Sequence, residues 1–378
     1  FMEMAGKQSE RVQKIKEAII THTERIKKAV NKMKSHGIDQ MIVTSTSNIF
    51  YLTGAWIVPG ERLLAFYIDD DGNFTFIINE LFKNSSSISN ANVVTYKDDS
   101  DPISLLSDIV SDKKPLGIDK NWPAHFLIEL MGKKDNMKFV DSSVILDELR
   151  MIKDEDEIKV LKESSLINDK VMEKLPNLIK GDMTEKQVSK IISSTFEKCG
   201  VDKLSFETIA SYGKNCADPH HSVDDTKLKS GDSIVIDMGG VYRRYCSDMT
   251  RTFFYGSPCD EAKNIYDIVL EANLNAISII KPGVKFCEID DAARSIIDKS
   301  GYGQYFTHRT GHNIGIEDHE YPSVSSSENM PVQPGMVFSI EPGIYIPGKY
   351  GVRIEDLVLV TKTGVEVLNH FPKDIVEL

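Results

Sequence analysis

Ser233-Ile-Val-Ile-Asp237-Met-Gly-Gly-Val-Tyr-Arg-Arg-Tyr-Cys-Ser-Asp248-Met-Thr-Arg251 is the stretch on which the reading of the fold turns. Ile234, Val235 and Ile236 make an apolar run of β type that ends on a carboxylate. Gly239-Gly240 permits a bend, and Val241 to Thr252 reads as a returning strand with a second carboxylate, Asp248. A carboxylate at the end of a buried strand is costly unless something pairs with it. Two of them on facing strands repel each other unless a cation lies between, so this hairpin asks for a metal.

A second hairpin repeats the pattern. Met336-Val-Phe-Ser-Ile-Glu341 ends on an acid, and Gly351-Val-Arg353-Ile-Glu355-Asp-Leu-Val-Leu-Val360 returns with another. Between the hairpins lies Thr307-His308-Arg-Thr-Gly-His312-Asn-Ile-Gly, followed by His319-Glu320. Four carboxylates and one imidazole make a hard, oxygen-rich shell. It suits a pair of divalent ions such as Mn, Fe, Co or Zn better than a sulfur-rich structural zinc site.

The elements before each hairpin also repeat. A helix from Glu155 runs to Leu178-Ile-Lys-Gly181, and a second, opened by Thr184-Glu185, ends at Cys199-Gly200. In the other half a helix from Asp260 to Ile280 is followed by one ending at Ser300-Gly301. The spacings agree: 19 residues from Gly181 to Gly200 and 18 from Gly283 to Gly301. Two helix-helix-hairpin units related by a pseudo-twofold, with the hairpins meeting at the centre, are the expected arrangement.

Upstream, residues 8 to 36 carry apolar residues at helical spacing. Strands are expected at Gln40 to Val43, Leu63 to Ile68, Asn73 to Ile78, Val93 to Tyr96 and Leu116 to Ile118. Asp69-Asp-Asp-Gly72 turns the second of these into the third, and Pro102 to Val110 reads as a helix. No His/Cys/acid set clusters in this part, which leaves it structure, oligomer contacts or substrate gating. The expected boundary is near residue 150, giving a 1–150 α/β N-terminal domain and a 151–378 catalytic domain.

Bulk properties narrow the function. A chain of 378 residues is long for one core. Its 57 acids against 45 bases leave a net charge of -12, which argues against nucleic acid or an anionic membrane as partner. Five cysteines, none in a C-x-x-C pair, suit reduced thiols in the cytoplasm. No apolar run has the ~18 residues of a membrane span. Phe1-Met-Glu-Met-Ala-Gly-Lys7 lacks the apolar core of a signal peptide. The acid runs Asp69 to Asp71, Asp154 to Glu157 and Asp224-Asp225 read as solvated.

In this order Asp237, Asp248, His312, Glu341 and Glu355 resemble the five metal ligands of the pita-bread metallopeptidases. The matching stretches are I-D-M-G-G, S-D-M-T-R-T, G-H-N-I-G, H-E-Y-P, S-I-E-P-G-I-Y and G-V-R-I-E-D. A domain before them is similar to the prolidase and aminopeptidase P branch. The resemblance implies an α+β pita-bread catalytic domain preceded by a smaller α/β N-terminal domain, in a homodimer. It implies two divalent metal ions, manganese first, with cobalt, iron or zinc as alternatives. Asp237 would chelate one metal, Asp248 and Glu355 bridge the pair, and His312 and Glu341 complete the other. Glu341 also matches the general base, His220 and His319 match the substrate-side histidines, and Arg353 is placed to orient the carboxylates.

The implied activity is hydrolysis of Xaa-Pro bonds in short peptides with proline second, leaning to the dipeptidase, with an Xaa-Pro aminopeptidase as the alternative. Two further classes share the fold: a creatinase-like hydrolase that needs no metal, and an inactive binding module. The presence of all five ligand types argues against both. Asn313 replaces a glycine common in the family, at a position where Asn tolerates unusual backbone angles. Ser323 stands where some prolidases carry an arginine that binds the dipeptide carboxylate. In a dimer, Arg62 is a candidate to reach the neighbouring subunit's site.

Overall fold

Gln40-Met-Ile-Val43 is buried at every position and forms β1, the pivot of a six-stranded sheet. The chain is described by a computed structural model over residues 21–85 and 92–378, and divides into two units, Phe1–Arg150 and Met151–Leu378. In the first unit β2 (Ala65–Asp69) pairs antiparallel with both β1 and β3 (Phe74–Asn79). The Asp69-to-Gly72 turn joins β2 to β3, with Gly72 at φ 86° supplying the left-handed residue. β4 (Asn92–Tyr96), β5 (Leu116–Ile118) and β6 (Phe139–Asp141) complete the order β4-β3-β2-β1-β5-β6.

Residues 21–35 are helical (α1), and the rest of the helix expected from residue 8 lies outside the described residues. α3 (Pro102–Ile109) starts where expected, on an Asp101 cap with proline in the first turn, and α4 (Ala124–Lys133) and α5 (Ser143–Met151) follow it. α2 (Thr46–Thr53) escaped the sequence reading, because it is short and opens on Thr46-Ser47-Asn48. Its start is held by the buried Asp119 carboxylate, which accepts from the backbone N–H of Thr44 and Ser45.

The second unit consists of two repeats. The first has α6 (Glu155–Met172) and α8 (Glu185–Lys198), with only the single turn α7 (Leu175–Leu178), opened by Leu175-Pro176, between them. The second has α9 (Asp260–Ser278) and α10 (Phe286–Lys299). Glu157 is buried and accepts from Tyr245 Oη, so the acid run beginning at Asp154 is not simply solvated.

Each hairpin is more elaborate than expected. After β7 (Lys203–Leu204) and β8 (Ile209–Tyr212), β9 (Ser233–Met238) pairs with β12 (Met249–Phe254), but a small hairpin, β10 (Gly240–Tyr242) and β11 (Tyr245–Cys246), is inserted between them. The turn falls at Arg243-Arg244, both at positive φ, not at Gly239-Gly240. Those glycines are required by close packing: a Cβ on Gly239 would lie 1.9 Å from the Ser247 carbonyl oxygen. The second repeat does the same. β15 (Val337–Ile340) pairs with β18 (Asp356–Val360), with β16 (Gly343–Ile346) and β17 (Tyr350–Arg353) inserted. The expected return strand therefore breaks at Ile354-Glu355. Each repeat has its own apolar core, with Val171, Ile192 and Ile234 in one and Val269, Ile289 and Phe338 in the other.

Candidate metal centre and active site

The insertions place the acids. Asp237 lies near the end of β9, and Asp248 comes just before β12. Glu341 follows β15, and Glu355 precedes β18, where Ile340 faces Asp356. The repeats are stitched together at these points: Glu355 N donates to Thr250 O at 3.1 Å, and Thr250 Oγ1 donates to Glu355 Oε2 at 2.7 Å. His312 reaches in from β13 (Gly311–Asn313), its backbone held by the Ser339 hydroxyl at 3.0 Å.

All five side chains meet in one place. His312 Nε2 lies 3.6 Å from Asp248 Oδ2 and 3.4 Å from Glu341 Oε1. Burial, reinforced by the charges of Glu355, Asp237 and Glu341, holds the Asp248 carboxyl well above the usual carboxylate range. Burial raises Glu355 in the same way, and pushes Glu341 up to about 7. Burial also drives His312 far toward its neutral form.

The donor set fits divalent cations. Asp237 Oδ1, Asp248 Oδ1 and Glu355 Oε1 are buried without a hydrogen-bond partner, an arrangement that costs free energy if nothing else binds them. His312 Nδ1 lies 3.1 Å from the Asn313 carbonyl, which can only accept, so Nδ1 carries the proton. Nε2 then turns a lone pair toward carboxylate oxygens. Asp248, His312 and Glu355 each offer an atom within 4.8 Å of the others.

A cleft of about 610 Å³ opens above this cluster. His220, His319 and Arg353 line it together with all five cluster residues. Arg353 Nη2 lies 2.8 Å from Asp237 Oδ2, and its Nε donates to Thr250 Oγ1 at 3.0 Å. The His319 ring packs edge-on against His312, with centroids 3.9 Å apart. Arg62 forks onto Asp98 of its own chain at 2.8 and 2.9 Å.

Asn313 takes no unusual backbone angle. It lies in a strand and donates through Nδ2 to Pro322 O at 2.9 Å, so it serves as a hydrogen-bonding side chain. The sequence reading also missed Tyr345, whose hydroxyl joins His308 Nε2 at 2.8 Å to Arg353 Nη1 at 3.0 Å. An aromatic in an apolar strand carries no sign of such a role. Arg309, the other cleft arginine, donates to the Ser323 hydroxyl at 2.9 Å.

Four carboxylates, Asp248 and Glu355 buried and Asp237 and Glu341 half-buried, meet a neutral imidazole beneath a cleft on paired hairpins, and this defines a metallohydrolase. The pattern of metallopeptidase family M24 matches residues 159–362, and that of the creatinase/prolidase N-terminal domain matches residues 25–152. The chain belongs to family M24 and has its pita-bread fold. It is 38% identical over 351 residues to an uncharacterized peptidase of Staphylococcus aureus, covering 92% of this chain and 99% of the relative. A prolidase from Thermococcus sibiricus superimposes with TM-score 0.90 at 35% identity, covering 94% of this chain and 98% of that one. An Xaa-Pro dipeptidase from Bacillus anthracis gives 0.87 at 32% identity, covering 94% and 100%. Among the described residues no helix is long and apolar enough to cross a membrane.

Proposed function

We propose that the chain is a dinuclear-metal exopeptidase that hydrolyses Xaa-Pro bonds, leaning to the dipeptidase. The observation that carries this reading is the three unpartnered carboxylate oxygens buried beside the His312 lone pair under the cleft. Likeness to structures named prolidase and Xaa-Pro dipeptidase supports the peptide chemistry.

Asp237, Asp248, His312, Glu341 and Glu355 would hold the two ions. Manganese is proposed first, with cobalt, iron or zinc able to substitute, since carboxylates and one imidazole suit these cations. The site would thereby gain, with divalent ions bound, polarisation of the scissile carbonyl and a water that is nucleophilic near neutral pH.

The chain's own groups supply the rest. Arg353 fixes one Asp237 oxygen and leaves the other turned inward. Glu341 takes a proton from the attacking water as the new C–O bond forms, and delivers it to the proline nitrogen as the C–N bond breaks. That nitrogen carries no hydrogen in the peptide bond, so without this proton it cannot leave as the secondary amine. His220 and His319 donate hydrogen bonds to the carbonyl oxygen as charge develops on it. The proposal includes a cytoplasmic homodimer, with the N-terminal unit serving oligomer contacts or substrate gating.

Ser323 favours the second reading, an Xaa-Pro aminopeptidase acting on longer peptides, because a serine offers a substrate carboxylate no charge. Turnover of Ala-Pro and Ala-Pro-Pro with Mn²⁺ decides between the two. Cleavage of Ala-Pro supports the dipeptidase, and cleavage of the tripeptide alone supports the aminopeptidase. Inertness toward both removes the Xaa-Pro assignment.

A further inference from the structure

His220 and His319 are exposed, yet the residue after each is fastened to a buried partner distant in sequence. His221 Nε2 lies 2.8 Å from Oε2 of Glu185, a fully buried residue opening α8. Glu320 Oε2 lies 3.2 Å from Lys153 Nζ, with side-chain exposures of 5% and 1%.

Neither pair is a simple surface contact. Glu185 Oε1 accepts from Tyr212 N at 2.8 Å and Asn215 Nδ2 at 3.0 Å, while Oε2 accepts from Asp224 N at 2.9 Å besides facing His221. Four partners use up the lone pairs of the carboxylate. The group Glu185, His221 and Asp224 therefore has no vacancy for a cation at its centre, and works as a knot tying the loop before β9 to α8. Glu320 does the same for the other loop. Its Oε1 accepts from Ile316 N at 2.9 Å and Glu317 N at 3.2 Å, and a Cβ on Gly315 would lie 2.7 Å from that oxygen.

We propose that His221 and Glu320 are positioning residues, each holding the preceding histidine over the metal ligands through its buried partner. Consecutive Cα atoms are about 3.8 Å apart, so pinning one residue fixes its neighbour's backbone and leaves the ring only its two side-chain torsions. A histidine that must meet a developing charge gains from such a mount, because small misplacements cost large factors in rate. Opposite polarities serve one end: an acid holds His221, and a base holds Glu320.

The kinetic part rests on the Xaa-Pro reading, and the test separates the two. In the metal-loaded enzyme, His221→Ala and Glu320→Ala are expected to lower kcat by about tenfold to a hundredfold. KM and bound metal should stay within about twofold. The doubles His220→Ala/His221→Ala and His319→Ala/Glu320→Ala should be no slower than His220→Ala or His319→Ala alone, since each anchor acts only through its histidine. Lys153→Arg should keep more kcat than Lys153→Met. Wild-type kcat in the single variants, or doubles that lose the product of both single effects, overturns the inference. Should an alanine variant not fold, His221→Gln and Glu320→Gln enter the same comparison.

Ring relaxation of ¹⁵N-labelled histidine gives a readout independent of turnover. His220 should become more mobile in the His221 variant and His319 in the Glu320 variant, and unchanged rings overturn the inference. Failure of the wild-type chain to cleave any Xaa-Pro peptide strikes only the proposed function.

Discussion

Arg353 Nη2 lies 2.8 Å from Asp237 Oδ2, and this ion pair is almost wholly buried, with side-chain exposures of 3% and 14%. The guanidinium satisfies one oxygen of the carboxylate, while the other, Oδ1, is left without a hydrogen-bond partner. A methionine at Arg353 fills similar volume but strands the Asp237 charge. Breaking a buried pair from one side costs about 3–5 kcal/mol. Arg353→Met should lose about that much in denaturant unfolding, along with bound metal measured by elemental analysis. Full metal content and undiminished turnover would show that Asp237 needs no such partner.

Glu341→Gln keeps the shape of the side chain and removes the base. Proton transfer by a positioned group contributes about 10²–10⁴-fold, so kcat should fall by about that factor. Stability in the presence of a chelator should hold or rise at pH 8. Burial pushes the Glu341 carboxyl up to about 7, so its ionised form is disfavoured there, and a neutral amide escapes that cost. Thermal melts beside steady-state assays separate the two effects.

Chelation and pH should act together. Glu341 near 7, with Asp248 and Glu355 raised well above their ordinary values, means that the folded chain retains protons the unfolded chain has released. The chelated protein should therefore lose stability as pH rises from about 5 through 7. Divalent ions replace those protons, so the rise in Tm on adding Mn²⁺ should grow across the same window. At a thousandfold excess over Kd the ion adds about 4 kcal/mol. A Tm increment that is flat or falls with pH counts against the carboxylates as ligands.

Gly239→Ala tests the geometry of the first hairpin. The new Cβ would lie 1.9 Å from the Ser247 carbonyl oxygen and 3.0 Å from the Phe206 ring. Both strands must shift, and Asp248 follows Ser247 directly. Overpacking of this kind costs about 3 kcal/mol or more, and metal content should fall with stability. A variant that melts with the wild type and holds its metal would mean that the hairpin yields without cost.

Much of this molecule can be read locally. Alternating or continuous apolar runs located β1, β5 and β9, and the turn at Gly72 followed from its neighbours alone. Asp237, Asp248, Glu341 and Glu355 stood out because an acid beside a buried strand is anomalous wherever the chain goes next. Breaks inside the hairpins were hidden, since Val241 to Thr252 has strand composition throughout and only pairing reveals that β10 and β12 belong to different sheets.

By itself the sequence determined the long helices and metal-bearing hairpins of the second unit, their repetition, and the chemical types present at the centre, because periodicity and side-chain chemistry are properties of neighbouring residues. Only the tertiary structure decided which oxygens lack partners, that Glu157 and Glu185 are buried while Asp225 is exposed, and that Tyr345 bridges His308 and Arg353. Burial and pairing are set by what arrives from elsewhere in the chain. Glu185 meets His221 from 36 residues away and Lys153 meets Glu320 from 167, and no local pattern encodes such a distance.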